Sequence, residues 1–291
     1  MCGLLEPAGL PAFLLQRQRW LAAELDRLAP PDDRPPSDVH RSIRYTLLGP
    51  SKRVRGTLTL LAADLFDGTR DAMPAAAAIE CVHASSLILD DLPSMDDTTS
   101  RRGRAANHIQ FGEATAILAA VALLNLAFGH VASAYDASLA SALVRLLADA
   151  IGSEGLIGGQ AADLQMPSHP VRVSEIEPVD RRKTAVLFRA ASLAGAMVGG
   201  AGEREAQRLA EFGDRVGLAF QLVDDVIDTN SEMTRQSSGG HRGHLASIAD
   251  LDEAMRRAEE LAQSAVQSLN GLGERAGRLR ELADFVVKRK E

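Results

Sequence analysis

Beyond residue 38, apolar residues recur at helical spacing almost to the C-terminus, and alternation of period two in Val, Ile and Thr is nearly absent. This pattern predicts an all-α fold, with helices near 38–48, 54–66, 71–92, 111–132, 137–150, 154–165, 174–200, 203–230, 250–270 and 275–288. Ala and Leu dominate, and both lose little on entering a helix, whereas aromatic residues make up only 4%. Hydrophobic residues are 46% of the 291, enough for a substantial core. The stretches 114–127 and 185–200 are apolar on most of their circumference, which places them in the middle of a large bundle. The chain 1–291 reads as a single helical domain, with 1–35 a variable segment ending in the breaker-rich PPDDRPP. Residues 93–110 and 229–246 interrupt the pattern with Pro, Gly, Ser and charged groups, and read as loops over a site.

Charge and cysteine usage narrow the function classes. The net charge is -7 and there is no basic patch or tail, which argues against nucleic acid as the partner. Cys2 and Cys81 supply no disulfide framework, and Cys81 lies in an apolar run as a small core residue. No basic n-region precedes an apolar stretch at the N-terminus, so no signal peptide is expected. The apolar stretch 114–127 contains Asn125 and is too short to span a bilayer. A cytoplasmic protein without a membrane span is expected.

Two acidic clusters carry the chemistry. The first reads SLILDDLPSMDDTTSRRG: Asp90 and Asp91 close an apolar helix, and Asp96 and Asp97 follow. Pro93 stops the helix, which lets the chain bulge and turns Asp96 back towards Asp90. The second reads FQLVDDVIDTN, where Gln221, Asp224 and Asp228 share one helical face. Carboxylates at the ends of apolar helices are costly unless paired or metal-bound, and several together repel. A hard divalent cation removes that cost. Mg²⁺ takes oxygen ligands, commonly one or two carboxylates together with phosphate oxygens and water. Two such clusters facing each other make a box for several Mg²⁺ ions and a diphosphate.

With these clusters in view, the chain resembles the trans-prenyl diphosphate synthases from about residue 38 to the C-terminus. DDLPSMDD followed by RRG resembles the first aspartate-rich motif of that family in its bacterial form, and FQLVDDVID the second. GGQAADL (158–164) and RKTAVLFRAA (182–191) resemble the intervening signatures, and SKRVRG (51–56) the GGKRxRP signature. The resemblance implies a helical bundle of the isoprenoid synthase type around a deep central cavity, acting as a homodimer. It also implies a reaction joining isopentenyl diphosphate to an allylic diphosphate (dimethylallyl, geranyl or farnesyl), with about three Mg²⁺ per site when diphosphate is bound. Asp90, Asp91, Asp96, Asp224, Asp225 and Asp228 would hold the metal, and Arg101 would grip the allylic diphosphate. Lys52, Arg55, His83 and Arg102 would bind the diphosphate of isopentenyl diphosphate. Lys183, Thr184 and Gln221 would line the reaction centre. Taken alone, His83 in its apolar helix is a satisfied core histidine; its place seven before Asp90 matches the diphosphate-binding histidine of the family.

The departures are specific. Pro50 and Ser51 stand where the signature has its glycine pair, and Gly56 where it has proline. The loop after the second motif lacks the usual lysine, and Arg235, Arg242 or His244 is expected to substitute. That defect keeps open a non-catalytic regulatory partner of an active synthase. A terpene cyclase also carries acidic Mg²⁺ clusters, but needs no counterpart of Lys52, Arg55 and His83. Product length is read from the position five before Asp90, roughly 7.5 Å deeper along the helix. An aromatic residue there resembles a floor that stops growth at fifteen carbons. This chain has Ser85 with Ser86 beside it, so geranylgeranyl diphosphate is the expected product and farnesyl diphosphate the alternative.

Overall fold

The computed structural model describes residues 12–68, 71–167, 169–236 and 250–289, with backbone alone at 228 and 230–236. The fold is all-α. The helices are α1 Ala12–Leu28, α2 Ser37–Leu47, α3 Val54–Asp64, α4 Met73–Asp90, α5 Asn107–Phe111, α6 Glu113–Ala134 and α7 Ala137–Ile151. They continue with α8 Leu156–Asp163, α9 Val173–Asp180, α10 Val186–Gly199, α11 Glu203–Gln236, α12 Leu251–Ser268 and α13 Gly277–Lys288. A single π-turn, Arg181–Ala185, joins α9 to α10. Local chemistry sets several of the ends. Asp136 and Asp250 accept backbone N–H groups in the first turns of α7 and α12, and Gly200 ends α10 at φ 78°.

The centre of the bundle is α3, α4, α10 and the first half of α11. Nearly every residue of α3 is buried, as are Ala75 to Val82 on α4 and most of α10. Small side chains allow this closeness: a Cβ on Gly195 of α10 would lie 2.1 Å from the Thr59 carbonyl oxygen of α3. Leu58, Ile79, Phe188 and Phe212 fill the space between these helices.

The structure corrects or adds to several expectations. Residues 12–28 form a helix, which buries Phe13, Leu14, Leu21 and Leu25 against α3 and α4. α11 continues to Gln236, through part of the stretch read as a loop. Its last turns carry adequate helix formers without an apolar stripe, and periodicity reports burial rather than helicity. A two-residue antiparallel hairpin, β1 Ser100–Arg101 with β2 Arg104–Ala105, follows the first aspartate cluster. It turns through Arg102 and Gly103 at φ 53° and 74°. Finally, α6 is not central. It runs for 22 residues, long and apolar enough by length and composition to cross a bilayer, yet one face packs on α2, α4 and α7. Its other face exposes Ile117, Leu118 and Val121.

Candidate active site

The first aspartate cluster sits where α4 stops and the chain folds back. The Asp96 N–H donates to the Asp90 carbonyl at 2.9 Å, and Thr98 N–H to Asp91 O at 3.2 Å. The bulge expected after Pro93 is present, and it brings Asp96 beside Asp90. The Asp91 carboxylate is buried and accepts from Arg101 Nε at 2.7 Å. Asp96 Oδ1 accepts from Gln160 Nε2 of α8 at 3.2 Å. Lys183 Nζ lies 3.8 Å from Asp96 and 2.5 Å from Asp163. Burial alone would lower the pKa of Lys183, but Asp163, Asp90 and Asp96 outweigh it and raise it. The ammonium is therefore a permanent counter-charge between α8 and the aspartate turn.

Lys183 owes its position to the π-turn. Such a turn inserts one residue into a helix and redirects the side chains on it. Here α8 presses directly onto that turn: a Cβ on Gly159 would stand 2.2 Å from the Lys183 backbone nitrogen. Thr184, next on the turn, donates its hydroxyl to Gln221 Oε1 at 2.9 Å, and Gln221 Nε2 donates to Asp225 at 2.7 Å. This relay ties the turn to the second aspartate cluster on α11. Below it lies Asp180, buried, whose Oδ2 accepts no hydrogen bond among the described residues. Burial, then the charges of Asp225 and Asp163, push its carboxyl well above the usual range.

On the other side of Asp224 opens a cavity of about 400 Å³ lined by Lys52, Arg55, His83, Arg102, Phe220 and Arg289. Arg55 donates to His83 Nε2 at 3.3 Å and lies over the Phe188 ring, 4.5 Å from its centroid. Burial, partly offset by Glu80 and Asp224, pulls the Arg55 pKa down to about 10, so it stays charged at neutral pH. His83 is pushed well below its ordinary value by burial and then by Arg55 and Arg102, and so is neutral. Arg53 turns inward instead, at φ 52°, to pair with Glu80 and to donate to the carbonyls of Leu47 and Gly49. Gly56 N–H donates to the same Glu80 at 2.8 Å, a bond that a proline there could not make. The altered signature therefore folds its loop around Glu80 and leaves Lys52 and Arg55 on the cavity wall.

The donor set suits a hard cation. Partial burial, and then the charges of Asp96 and Asp91, push Asp90 up to about 7 against the opposing pull of Lys183 and Arg101. The carboxylates around it, Asp96 and Asp91, are oxygen donors, the preference of Mg²⁺. Among the described residues no three acidic, His or Cys side chains close a coordination shell. Mg²⁺ keeps waters and substrate phosphates as ligands and does not require one. The side chain of Asp228 lies outside the described residues, as do those of Arg235, Arg242 and His244.

Along α4, His83, Ser86, Leu87 and Asp90 share one face and are all partly exposed. Ser85 is turned from that face: it is buried and donates to the Ala120 carbonyl of α6 at 2.9 Å. Several participants were not named from the sequence, although two of them lie in a motif visible there. Asp163 and Gln160 lie in the GGQAADL signature. Asp180 and Arg289 are ordinary surface-type residues until the fold buries them.

Comparison with known proteins agrees with this geometry. The polyprenyl synthetase family model matches residues 36–239. The chain is 40% identical over 272 residues to geranylgeranyl pyrophosphate synthase 6, mitochondrial, of Arabidopsis thaliana, covering 88% of this chain and 81% of that one. It is 35% identical to a chloroplastic geranylfarnesyl diphosphate synthase of Leucosceptrum canum, over 96% of this chain and 80% of the relative. Among solved structures, an FPP/GFPP synthase from Zymomonas mobilis superposes with a TM-score of 0.81 at 32% identity, covering 94% of this chain and 98% of its own. A geranylgeranyl pyrophosphate synthetase from the archaeon Geoglobus acetivorans gives 0.81 at 26% identity, covering 95% and 100%. The aspartate clusters, the relay between them and the cationic cavity thus sit on a shared scaffold, and this chain belongs to the polyprenyl synthetase family.

Proposed function

We propose that the protein is a short-chain trans-prenyltransferase that joins isopentenyl diphosphate to an allylic diphosphate and makes geranylgeranyl diphosphate as its main product. One observation carries the reading: Asp224 of the second aspartate cluster stands on the wall of a cationic cavity, and the Thr184–Gln221–Asp225 hydrogen bonds tie that cluster to the turn whose Lys183 reaches Asp96 of the first. The cavity would take the diphosphate of isopentenyl diphosphate, with Lys52, Arg55 and Arg102 as its counter-charges and neutral His83 orienting Arg55. The aspartate side would take the allylic diphosphate, gripped by Arg101 and Lys183. Magnesium, which the resemblance assigns to Asp90, Asp91, Asp96, Asp224, Asp225 and Asp228, would neutralise that diphosphate as a Lewis acid. Thr184 spends its hydroxyl hydrogen on Gln221, so the lone pairs of Oγ are left for the allylic cation that forms as diphosphate departs. The alkene of isopentenyl diphosphate attacks, and the proton it then loses goes to the departing diphosphate. The exposed Ile117, Leu118 and Val121 of α6 support a homodimer built on that helix.

The test is incorporation of labelled isopentenyl diphosphate with dimethylallyl, geranyl or farnesyl diphosphate as primer and Mg²⁺ present, read by mass spectrometry. A twenty-carbon product supports the reading. Absence of incorporation with every primer overturns it in favour of a non-catalytic partner.

A further inference from the structure

Among the described residues, Asp224 is the one carboxylate on the wall of the cationic cavity. It is already engaged. Arg289, the residue after α13, places Nη1 2.7 Å from Asp224 Oδ1. The guanidinium is held by more than this pair. Its Nη2 donates to the Phe220 carbonyl at 2.5 Å, Nε donates to the Val286 carbonyl at 3.2 Å, and its plane lies over the Phe220 ring at 3.7 Å. Arg289 is 3% exposed, whereas Asp224 is 37% exposed. The arginine is thus anchored by its own surroundings, and the aspartate is open to a second partner.

On the reading that Asp224 serves the cation, we propose that Arg289 is a positioning residue that competes with the divalent cation for Asp224. In the ligand-free protein it neutralises this carboxylate. Uptake of the cation displaces the Nη1 contact, and the guanidinium stays in the cavity on Phe220, where it adds to the positive charge facing a diphosphate. One exchange of partners therefore links the two substrate sites: a cation on Asp224 makes the cavity more cationic, and an anion in the cavity frees Asp224.

The test measures Mn²⁺ binding by the full chain, without any diphosphate, by electron paramagnetic resonance and calorimetry. Removing a competing, partly exposed ion pair should tighten binding by about fivefold, equivalent to ~1 kcal/mol. Arg289→Gln is expected to show that gain, and Arg289→Lys to bind like the wild type. A merely structural clamp would behave oppositely, since its loss loosens the site. Unchanged or weaker Mn²⁺ binding by Arg289→Gln, with an unaltered circular dichroism spectrum, overturns the proposal. Hydrogen exchange on the wild type supplies a second readout should the variant fold poorly. Mn²⁺ should speed exchange in the segment ending at Arg289, and slower or unchanged exchange there refutes the competition. Asp224→Asn separates the two levels. If it binds Mn²⁺ as tightly as the wild type, Asp224 is no ligand and the competition falls with it.

Discussion

Product length offers the most direct test of how α4 faces the cavity. His83, Ser86, Leu87 and Asp90 form one partly exposed stripe, and Ser85 is buried against Ala120 of α6. Four residues at 1.5 Å each place Ser86 about 6 Å below Asp90 along the helix. An isoprene unit adds four chain bonds, about 5 Å when extended with bonds of ~1.5 Å. A phenyl ring at Ser86 therefore stands in the path of the growing chain within roughly one to two units of the diphosphate. Shutting out a five-carbon unit should cost the longer product at least ~1.4 kcal/mol, a tenfold change in partitioning. Ser86→Phe should thus convert a twenty-carbon product to fifteen carbons or fewer with little loss of stability. Ser85→Phe should act differently. It removes the hydrogen bond to Ala120 and overpacks the α4–α6 contact, at about 1–3 kcal/mol. That loss lowers the melting temperature by roughly 2–4 °C per kcal/mol, with less change in product. Both outcomes are read by mass spectrometry of dephosphorylated products alongside a thermal melt. If Ser85→Phe shortens the product and Ser86→Phe does not, this assignment of helix faces is wrong.

Asp90→Ala and Asp224→Ala should each lower turnover by more than about 10²-fold while the fold persists, because each removes an oxygen donor rather than a core contact. Near-native turnover in either correctly folded variant would contradict the donor assignment. Gly159→Ala puts a methyl 2.2 Å from the Lys183 backbone nitrogen and should push α8 off the π-turn. About 1–3 kcal/mol of stability and much of the turnover should be lost, and wild-type values for both would show that α8 can yield. His83 has a depressed pKa in the folded state, so its contribution to stability is present above about pH 6.5 and declines as the pH falls below that value. Denaturant titrations should show His83→Gln losing less stability than wild type between pH 7 and 5, and parallel losses would place the acid sensitivity elsewhere.

Much of the architecture is written in periodicity, since a buried helical face repeats every three to four residues wherever it occurs. The signal fails where burial and helicity part company. The end of α11 is helical without an apolar stripe, and α6 is apolar on a face that this chain leaves exposed. The aspartate turn was legible because Pro93 between two acidic pairs has one economical outcome, a chain that doubles back. The π-turn was not, because RRKTA carries no mark that distinguishes five-residue hydrogen bonding from four. Arg289 was illegible for a different reason. Its role depends on α13 returning to Phe220 and Asp224, an approach between residues 65 positions apart, which no local pattern encodes.

Exposure of the carboxylates sorts the ion pairs of the site into fixed and exchangeable ones. Glu80 is 0% exposed and Asp91 4%, and each is held by an arginine, Arg53 and Arg101. Stripping a partner from a buried carboxylate costs about 3–5 kcal/mol, more than substrate binding could readily offset. Those two pairs are scaffold: one shapes the loop that presents Lys52 and Arg55, the other aims Arg101. Asp91, a metal ligand by resemblance, is almost fully buried and paired with Arg101, which makes it the tightest-held carboxylate of its cluster. Asp96 and Asp163 are 15% and 16% exposed and share Lys183, and Asp224 is 37% exposed against Arg289. Water or an incoming cation can replace the partner of Asp224, the most exposed of these, at small cost. On the proposed competition at Asp224, cation binding would exchange one counter-ion within a framework of pairs too buried to exchange.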